Sequence, residues 1–83
     1  MIGKLIGIIP KNSLEEVRVA IEEYKGYQLL DIRVYFHADD GEPRPTKKGI
    51  SINLELFDEF YDLVRKAARE VAKAKVAGAK AAP

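Results

Sequence analysis

The chain has no cysteine and a single histidine, His37, among its 83 residues. Without cysteine there is no disulfide framework and no thiolate zinc site. With one histidine there is no imidazole pair for a metal. No Gly-x-Ser-x-Gly elbow and no phosphate-binding glycine loop surrounds His37, so the usual hydrolase and nucleotidase signatures are missing. Long apolar runs are also missing. Met1 to Pro10 is apolar but is broken by Lys4, two glycines and Pro10. It is too short to span a bilayer and lacks the cleavage pattern of a secretory leader, so a cytoplasmic location is the expectation. Strong net charge is absent too: the formal value is +1. Global charge therefore gives no support for a polyanionic partner.

What is present suits a folded domain: 47% hydrophobic and 33% charged residues. A chain this short makes one domain, residues 1–83, and buries a limited fraction of its surface alone. With no covalent staple available, self-association is the remaining route to a larger core, and a dimer is expected. The charges are not evenly placed. Residues 1–42 carry five basic and eight acidic residues, and residues 43–83 carry nine basic and five acidic.

Ile6 to Ile9 is a short apolar run, a strand or a strand-like arm. Ser13 and Glu16 have the spacing of a helix capping box, but Val17 to Glu22 alternates with period two and is rich in β-branched residues. A strand is favoured, with Val17, Val19 and Ile21 toward the core and Arg18, Ala20 and Glu22 away from it. Tyr24-Lys25-Gly26-Tyr27 is a hairpin turn. Gln28 to His37 is the clearest strand: Leu30, Ile32, Val34 and Phe36 share one face, and Asp31, Arg33, Tyr35 and His37 the other. Asp40-Gly41 marks another turn. Pro43 and Pro45 restrict Glu42–Thr46 to an edge or irregular strand. Ile50-Ser51-Ile52 is a short strand. Asn53 is an N-cap, and Leu56, Phe57, Phe60, Tyr61, Val64, Ala68 and Val71 form one apolar helix face from about Leu54 to Lys75. The core is expected over about residues 6–75, with 76–83 a frayed Ala/Lys tail. Lys80 and the cations before it are read as a solvated helix end, with an extra nucleic-acid arm as the lesser alternative.

Catalysis has little to build on. Asp39 and Asp40 beside Gly41 are turn residues, and His37 is expected on the solvent face with no role. No metal and no cofactor is implied. A binding reading has more material. Single-stranded nucleic acid needs cations for phosphates and flat rings for bases. Tyr24, Lys25, Tyr27, Arg33, Tyr35, Arg44, Lys47 and Lys48 cluster around the strands and hairpins. Pattern alone leaves a second reading open, in which the rings cover the sheet and the charges keep it in solution.

Two longer segments carry a resemblance. Tyr24-Lys25-Gly26-Tyr27-Gln28-Leu29-Leu30-Asp31-Ile32-Arg33-Val34-Tyr35-Phe36 is followed by Asp40-Gly41-Glu42-x-Arg44-Pro45-x-Lys47-Lys48-Gly49-Ile50-Ser51-Ile52-Asn53. Together they resemble the Positive Cofactor Four transcriptional coactivators over roughly residues 6–66. Lys11-Asn12-Ser13-x-Glu15-Glu16-Val17-Arg18-Val19 looks like the bacterial members. The resemblance implies an α+β fold: a curved four-stranded antiparallel sheet, then one C-terminal helix, in a homodimer. The helix contacts Phe57, Phe60, Tyr61 and Val64 are assigned to the dimer interface. It implies a sequence-tolerant single-stranded DNA-binding protein acting in transcription or DNA maintenance, at the nucleoid. Tyr24 and Phe36 would be the ring contacts, with Tyr27 beside them. Lys25, Arg33, Arg44 and Lys48, with Lys47 nearby, would hold the backbone, and Gly49 would let the chain turn close to the ligand. An RNA-binding protein or RNA chaperone, and an interaction module of the transcription machinery, are the rival readings. The chain departs from the eukaryotic members in its acidic first strand, where Glu15, Glu16, Glu22 and Glu23 accompany Arg18, and in having Phe36 in place of a tryptophan and Tyr27 where lysine is common.

Overall fold

The computed structural model describes residues 3–78. Four strands run Lys4–Pro10 (β1), Glu15–Tyr24 (β2), Tyr27–His37 (β3) and Pro43–Asn53 (β4), and a helix, Phe57–Val76 (α1), follows a 3₁₀ turn at Leu54–Leu56. The strands pair antiparallel in the order β1-β2-β3-β4, each with its sequence neighbour. The Ile6–Ile9 segment therefore joins the sheet as an edge strand.

Local chemistry accounts for the turns. Lys25 and Gly26 both sit at positive φ, 51° and 83°, and Tyr24 pairs with Tyr27 across them. That is the two-residue hairpin whose twist matches its strands. At the β1–β2 turn the Ser13–Glu16 capping box is not formed. Asn12 Oδ1 instead accepts from the backbone N–H groups of Leu14 and Glu15, both at 2.9 Å. That local side-chain bond favours a turn over a helix start. Between β3 and β4, Gly41 at φ 81° closes on Ala38, and Asp40 Oδ1 accepts from the Glu42 amide at 3.0 Å. Asn53 Oδ1 accepts from the Glu55 amide at 2.9 Å, as expected of the cap, although the first turn is 3₁₀. The helix closes at Ala77 and Gly78. Residues 79–83, which include Lys80 and most of the proposed frayed tail, lie outside the described residues.

Cross-strand partners share a face, so register assigns every side chain. One face holds Val17, Val34, Val19, Ile32, Ile21, Leu30, Ile50 and Ile52. The other holds Glu16, Tyr35, Arg18, Arg33, Ala20, Asp31, Ser51, Glu22 and Leu29. The alternation matches the sequence pattern, but burial does not follow it. On β2 the buried residues are Ala20 (8% exposed) and Glu16 (9%), both on the polar face, while Val17, Val19 and Ile21 are half-buried. The cause is coverage. Long polar side chains fold over short neighbours on one face, whereas α1 leaves most of the apolar face open. Leu30, 7% exposed, is the one large apolar side chain classed as buried among the described residues.

Candidate nucleic-acid interface

The polar face is a connected network. The Glu16 carboxylate accepts from Arg18 Nε and meets His37 Nε2 at 2.7 Å, tying β2 to the end of β3. These two partners, His37 first, hold the Glu16 carboxyl below the ordinary value against the opposing effect of burial. His37 is thus a cross-strand clamp, not the idle surface residue expected from sequence. The Arg18 guanidinium lies 4.6 Å from the centre of the Tyr35 ring, within cation–π range.

Arg33 is equally committed. Its Nε donates to Asp31 at 3.2 Å and its Nη2 at 3.0 Å, while Nη1 donates to the Thr46 carbonyl at 3.0 Å. Ser51 Oγ donates to the same Asp31 at 2.8 Å. The hydrogen bond to Asp31 raises the Arg33 pKa above its ordinary value. Arg33 therefore acts first as the pin joining β3 to β4, and its charge is offset beside it.

The irregularity at this joint shapes the surface. Arg33 faces Gly49 and Tyr35 faces Pro45, so Thr46, Lys47 and Lys48 on β4 oppose Val34 alone. Thr46 Oγ1 donates to the Val34 carbonyl at 2.7 Å and accepts from the Lys48 amide at 3.1 Å, which holds the bulge. Gly49, at φ 154°, has no room for a Cβ: it would meet the Ile32 carbonyl and the Arg33 Cα at 2.8 Å. The glycine is required by the approach of β4 to β3, so its backbone freedom needs no ligand to explain it. The result is a bulge that carries Lys47 and Lys48, both exposed and neither in an ion pair among the described residues. Lys48 lies toward Glu15 on the other face, whose carboxyl is held below its ordinary value by Asn12 and Lys11 first and by Lys48 after them. Bulges commonly re-aim side chains in this way.

Between these features lies a groove of about 500 Å³, lined by Glu22, Tyr24, Leu29, Asp31, Arg33, Tyr35, Pro45 and Ser51. Its lining runs from the β2–β3 turn to the bulge. Tyr24 and Tyr27 are 58% and 60% exposed, and the Lys25 ammonium sits 5.3 Å from the Tyr24 ring centre. Tyr24 and an apolar floor of Leu29 and Pro45 thus line the groove, with Lys25 and Tyr27 in the turn at one end and the Lys47-Lys48 bulge following Pro45 at the other.

The sequence-predicted residues do not all meet here. Tyr24 and Arg33 line the groove; Lys25 and Tyr27 belong to the turn at one end, Lys47 follows Pro45 in the bulge, and Lys48 lies toward Glu15 on the other face. Phe36 and Arg44 pair with each other across β3 and β4, on the apolar face, with Glu15 opposite Phe36 on β2. No bulge re-aims the Phe36 ring, which stays on the parity its alternation dictates, and Arg44 Nη2 donates to Asp40 at 2.8 Å. Sequence reasoning passed over Glu22, Leu29 and Pro45 as lining residues. Their signal was strand parity: Leu29 alternates with Asp31 and Arg33, and Glu22 is its cross-strand partner.

The helix contacts assigned to a dimer lie along one exposed stripe. Phe57 stacks on Tyr61 at 5.7 Å, Phe57 and Phe60 are half-buried, and Tyr61, Leu63, Val64 and Val71 are exposed. No helix residue is buried within the chain.

Residues 11–63 match the family model described as Transcriptional Coactivator p15 (PC4). Among solved structures, the chain is similar to BPSL1147, a PC4 homolog from Burkholderia pseudomallei K96243. The two are 32% identical with a TM-score of 0.72, over 82% of this chain and 92% of that one. It is also similar to the bacteriophage T5 homolog of the eukaryotic coactivator PC4, a protein implicated in recombination-dependent DNA replication. That match is 27% identical with a TM-score of 0.57, over 96% of this chain and all of the other. Among curated proteins it is similar to the RNA polymerase II transcriptional coactivators SUB1 of Saccharomyces cerevisiae (42% identical over 44 residues) and KELP of Arabidopsis thaliana (46% over 43 residues). The chain covers 15% and 26% of their lengths, about half of itself being matched. The chain belongs to the PC4 family of transcriptional coactivators, and its four-stranded open sheet with one C-terminal helix is that family's fold.

Proposed function

We propose that this member of the PC4 family binds single-stranded or unwound DNA along the polar face of its sheet, with little dependence on sequence, and acts by binding without catalysis. The carrying observation is the groove itself: exposed tyrosine rings and an apolar floor, with Lys25 over Tyr24 in the turn at one end and the Lys47-Lys48 bulge following Pro45 at the other. Rings stack on any base, each contributing about 1–3 kcal/mol, and lysines hold phosphates without reading sequence. Lys25, Lys47 and Lys48 take the backbone, and Tyr24 and Tyr27 take bases. Arg33 supports the surface by fixing β3 to β4. Phe36 and Arg44, on the opposite face, reach a strand only where it passes over the outer end of β3 and β4.

The working form is a homodimer. Val17, Val19, Ile32 and Ile50 and the α1 stripe through Phe60, Tyr61 and Val64 leave apolar surface that one chain does not cover. A second chain covering it would set two grooves side by side. Transcription or DNA maintenance at the nucleoid is the setting that fits such a module.

Fluorescence anisotropy with single-stranded DNA, duplex DNA and RNA at two salt concentrations tests this reading. Single-stranded DNA should bind best, and its affinity should fall with salt as counterions are released. Preference for RNA would favour an RNA chaperone, and salt-independent or absent binding would favour a protein-interaction module.

A further inference from the structure

The inside of the groove differs in charge from its rim. Its one cation, Arg33, is offset by Asp31. Asp31 in turn is occupied by Arg33 and Ser51, and the nearby Glu16 by Arg18 and His37. Glu22 stands apart. It is half-buried on β2 opposite Leu29, and among the described residues no hydrogen bond or ion pair engages its carboxylate. It lines the 500 Å³ groove, an adjoining hollow of about 170 Å³ formed with Gly3, Leu5, Arg18, Ala20, Asp31 and Tyr35, and one of about 260 Å³ that it shares with Lys4. Its carboxylate lies over Gly3, just before β1, and none of its neighbours on this face, Ala20, Tyr24 and Leu29, hydrogen-bonds to it.

We propose that Glu22 gives the groove a base preference: its carboxylate accepts from the exocyclic amino group of a base stacked on the tyrosines, favouring cytosine over thymine. The inference rests on the groove being the single-strand site and adds the class of base it takes. An unpaired carboxylate inside the groove repels phosphate, so the backbone stays with the rim lysines and the bases turn inward. There the two pyrimidines offer nearly equal stacking area and differ at one edge. Cytosine presents an N4 amino donor, and thymine presents the O4 carbonyl, an acceptor facing an acceptor. Adenine and guanine also carry amino donors, but the pyrimidine pair isolates the edge from ring size.

The test is anisotropy with labelled oligo-dC and oligo-dT of equal length, in mildly alkaline buffer that keeps cytosine unprotonated. The unmodified chain should bind oligo-dC about tenfold more tightly. Glu22→Gln, whose amide both donates and accepts, should bring the ratio close to one, chiefly by improving oligo-dT. Lys47→Ala with Lys48→Ala should weaken both ligands and keep the ratio. Circular dichroism checks that each variant folds, and Glu22→Ala supplies a second removal of the carboxylate. Equal affinities in the unmodified chain, or a preference unchanged in both Glu22 variants, would overturn the inference while leaving single-strand binding intact. Failure of either oligonucleotide to bind would overturn the binding reading and the base preference with it.

Discussion

The two faces of one sheet solve the problem of burial differently. On the polar face nearly every long side chain has a partner within the chain: Glu16 with Arg18 and His37, Asp31 with Arg33 and Ser51, Tyr35 under Arg18. On the apolar face Val17, Val19, Ile21, Ile32 and Val34 are only half-buried, and the helix keeps its own apolar stripe exposed. The polar face is satisfied almost entirely within one chain, and the apolar face is not. A small domain with no disulfide can leave much of its apolar surface open and still hold the other face in a fixed arrangement of paired side chains.

Breaking this contrast tests it. The largest effect is expected at Val64, 44% exposed in the single chain. If the stripe stays open, Val64→Asp changes stability by less than about 0.5 kcal/mol; under a partner it buries an unpaired charge and costs about 4 kcal/mol or more. Sedimentation should then give a mass near 9.3 kDa for the variant and twice that for the unmodified chain. A 9.3 kDa species for both would refute the covered face.

Next in size is the rim. Lys47→Ala with Lys48→Ala should weaken single-strand binding about 10- to 100-fold at low salt and reduce the logarithmic salt slope by about 1–2. The urea midpoint should hold, since neither lysine is ion-paired among the described residues. Arg33→Ala sharpens the contrast from the other side. It strips donors from Asp31 and the Thr46 carbonyl and should cost about 1–3 kcal/mol of stability, read by urea unfolding. Combining it with Asp31→Asn should recover part of that loss.

The smallest effect concerns acid. The Glu16 carboxyl is held below its ordinary value in the folded chain, chiefly by the His37 hydrogen bond and then by Arg18. A folded pKa below the unfolded one gives stability that is present above the unfolded value and lost as pH falls through the folded one. Urea midpoints measured from neutral pH down through that range should decline less steeply in Glu16→Gln than in the unmodified chain.

Much of this was legible in the residues. Period-two alternation in Val17–Glu22 and Gln28–His37, the Lys25-Gly26 and Asp40-Gly41 turns, and the three- and four-residue spacing from Leu56 to Val71 set the strands, the hairpins and the helix. These are local signals, carried by backbone preferences and side-chain period. Parity also set Phe36 on the apolar face, apart from Arg33. Coverage was not legible. Ala20 and Glu16 are buried because neighbours on other strands fold over them, and no one-dimensional pattern reports that. The same holds for details of the polar face: that Arg33 is spent on Asp31, that Gly49 answers to the Arg33 backbone, and that Glu22 has no hydrogen-bond partner among the described residues.

The sequence by itself determined the order of elements, the faces of each strand and the family to which the chain belongs, because period, turn chemistry and motif are written along the chain. The tertiary structure alone decided which charges are neutralised and which remain available, because that depends on register across β2, β3 and β4. A one-residue change of register would exchange the faces and dissolve both the clamp and the groove.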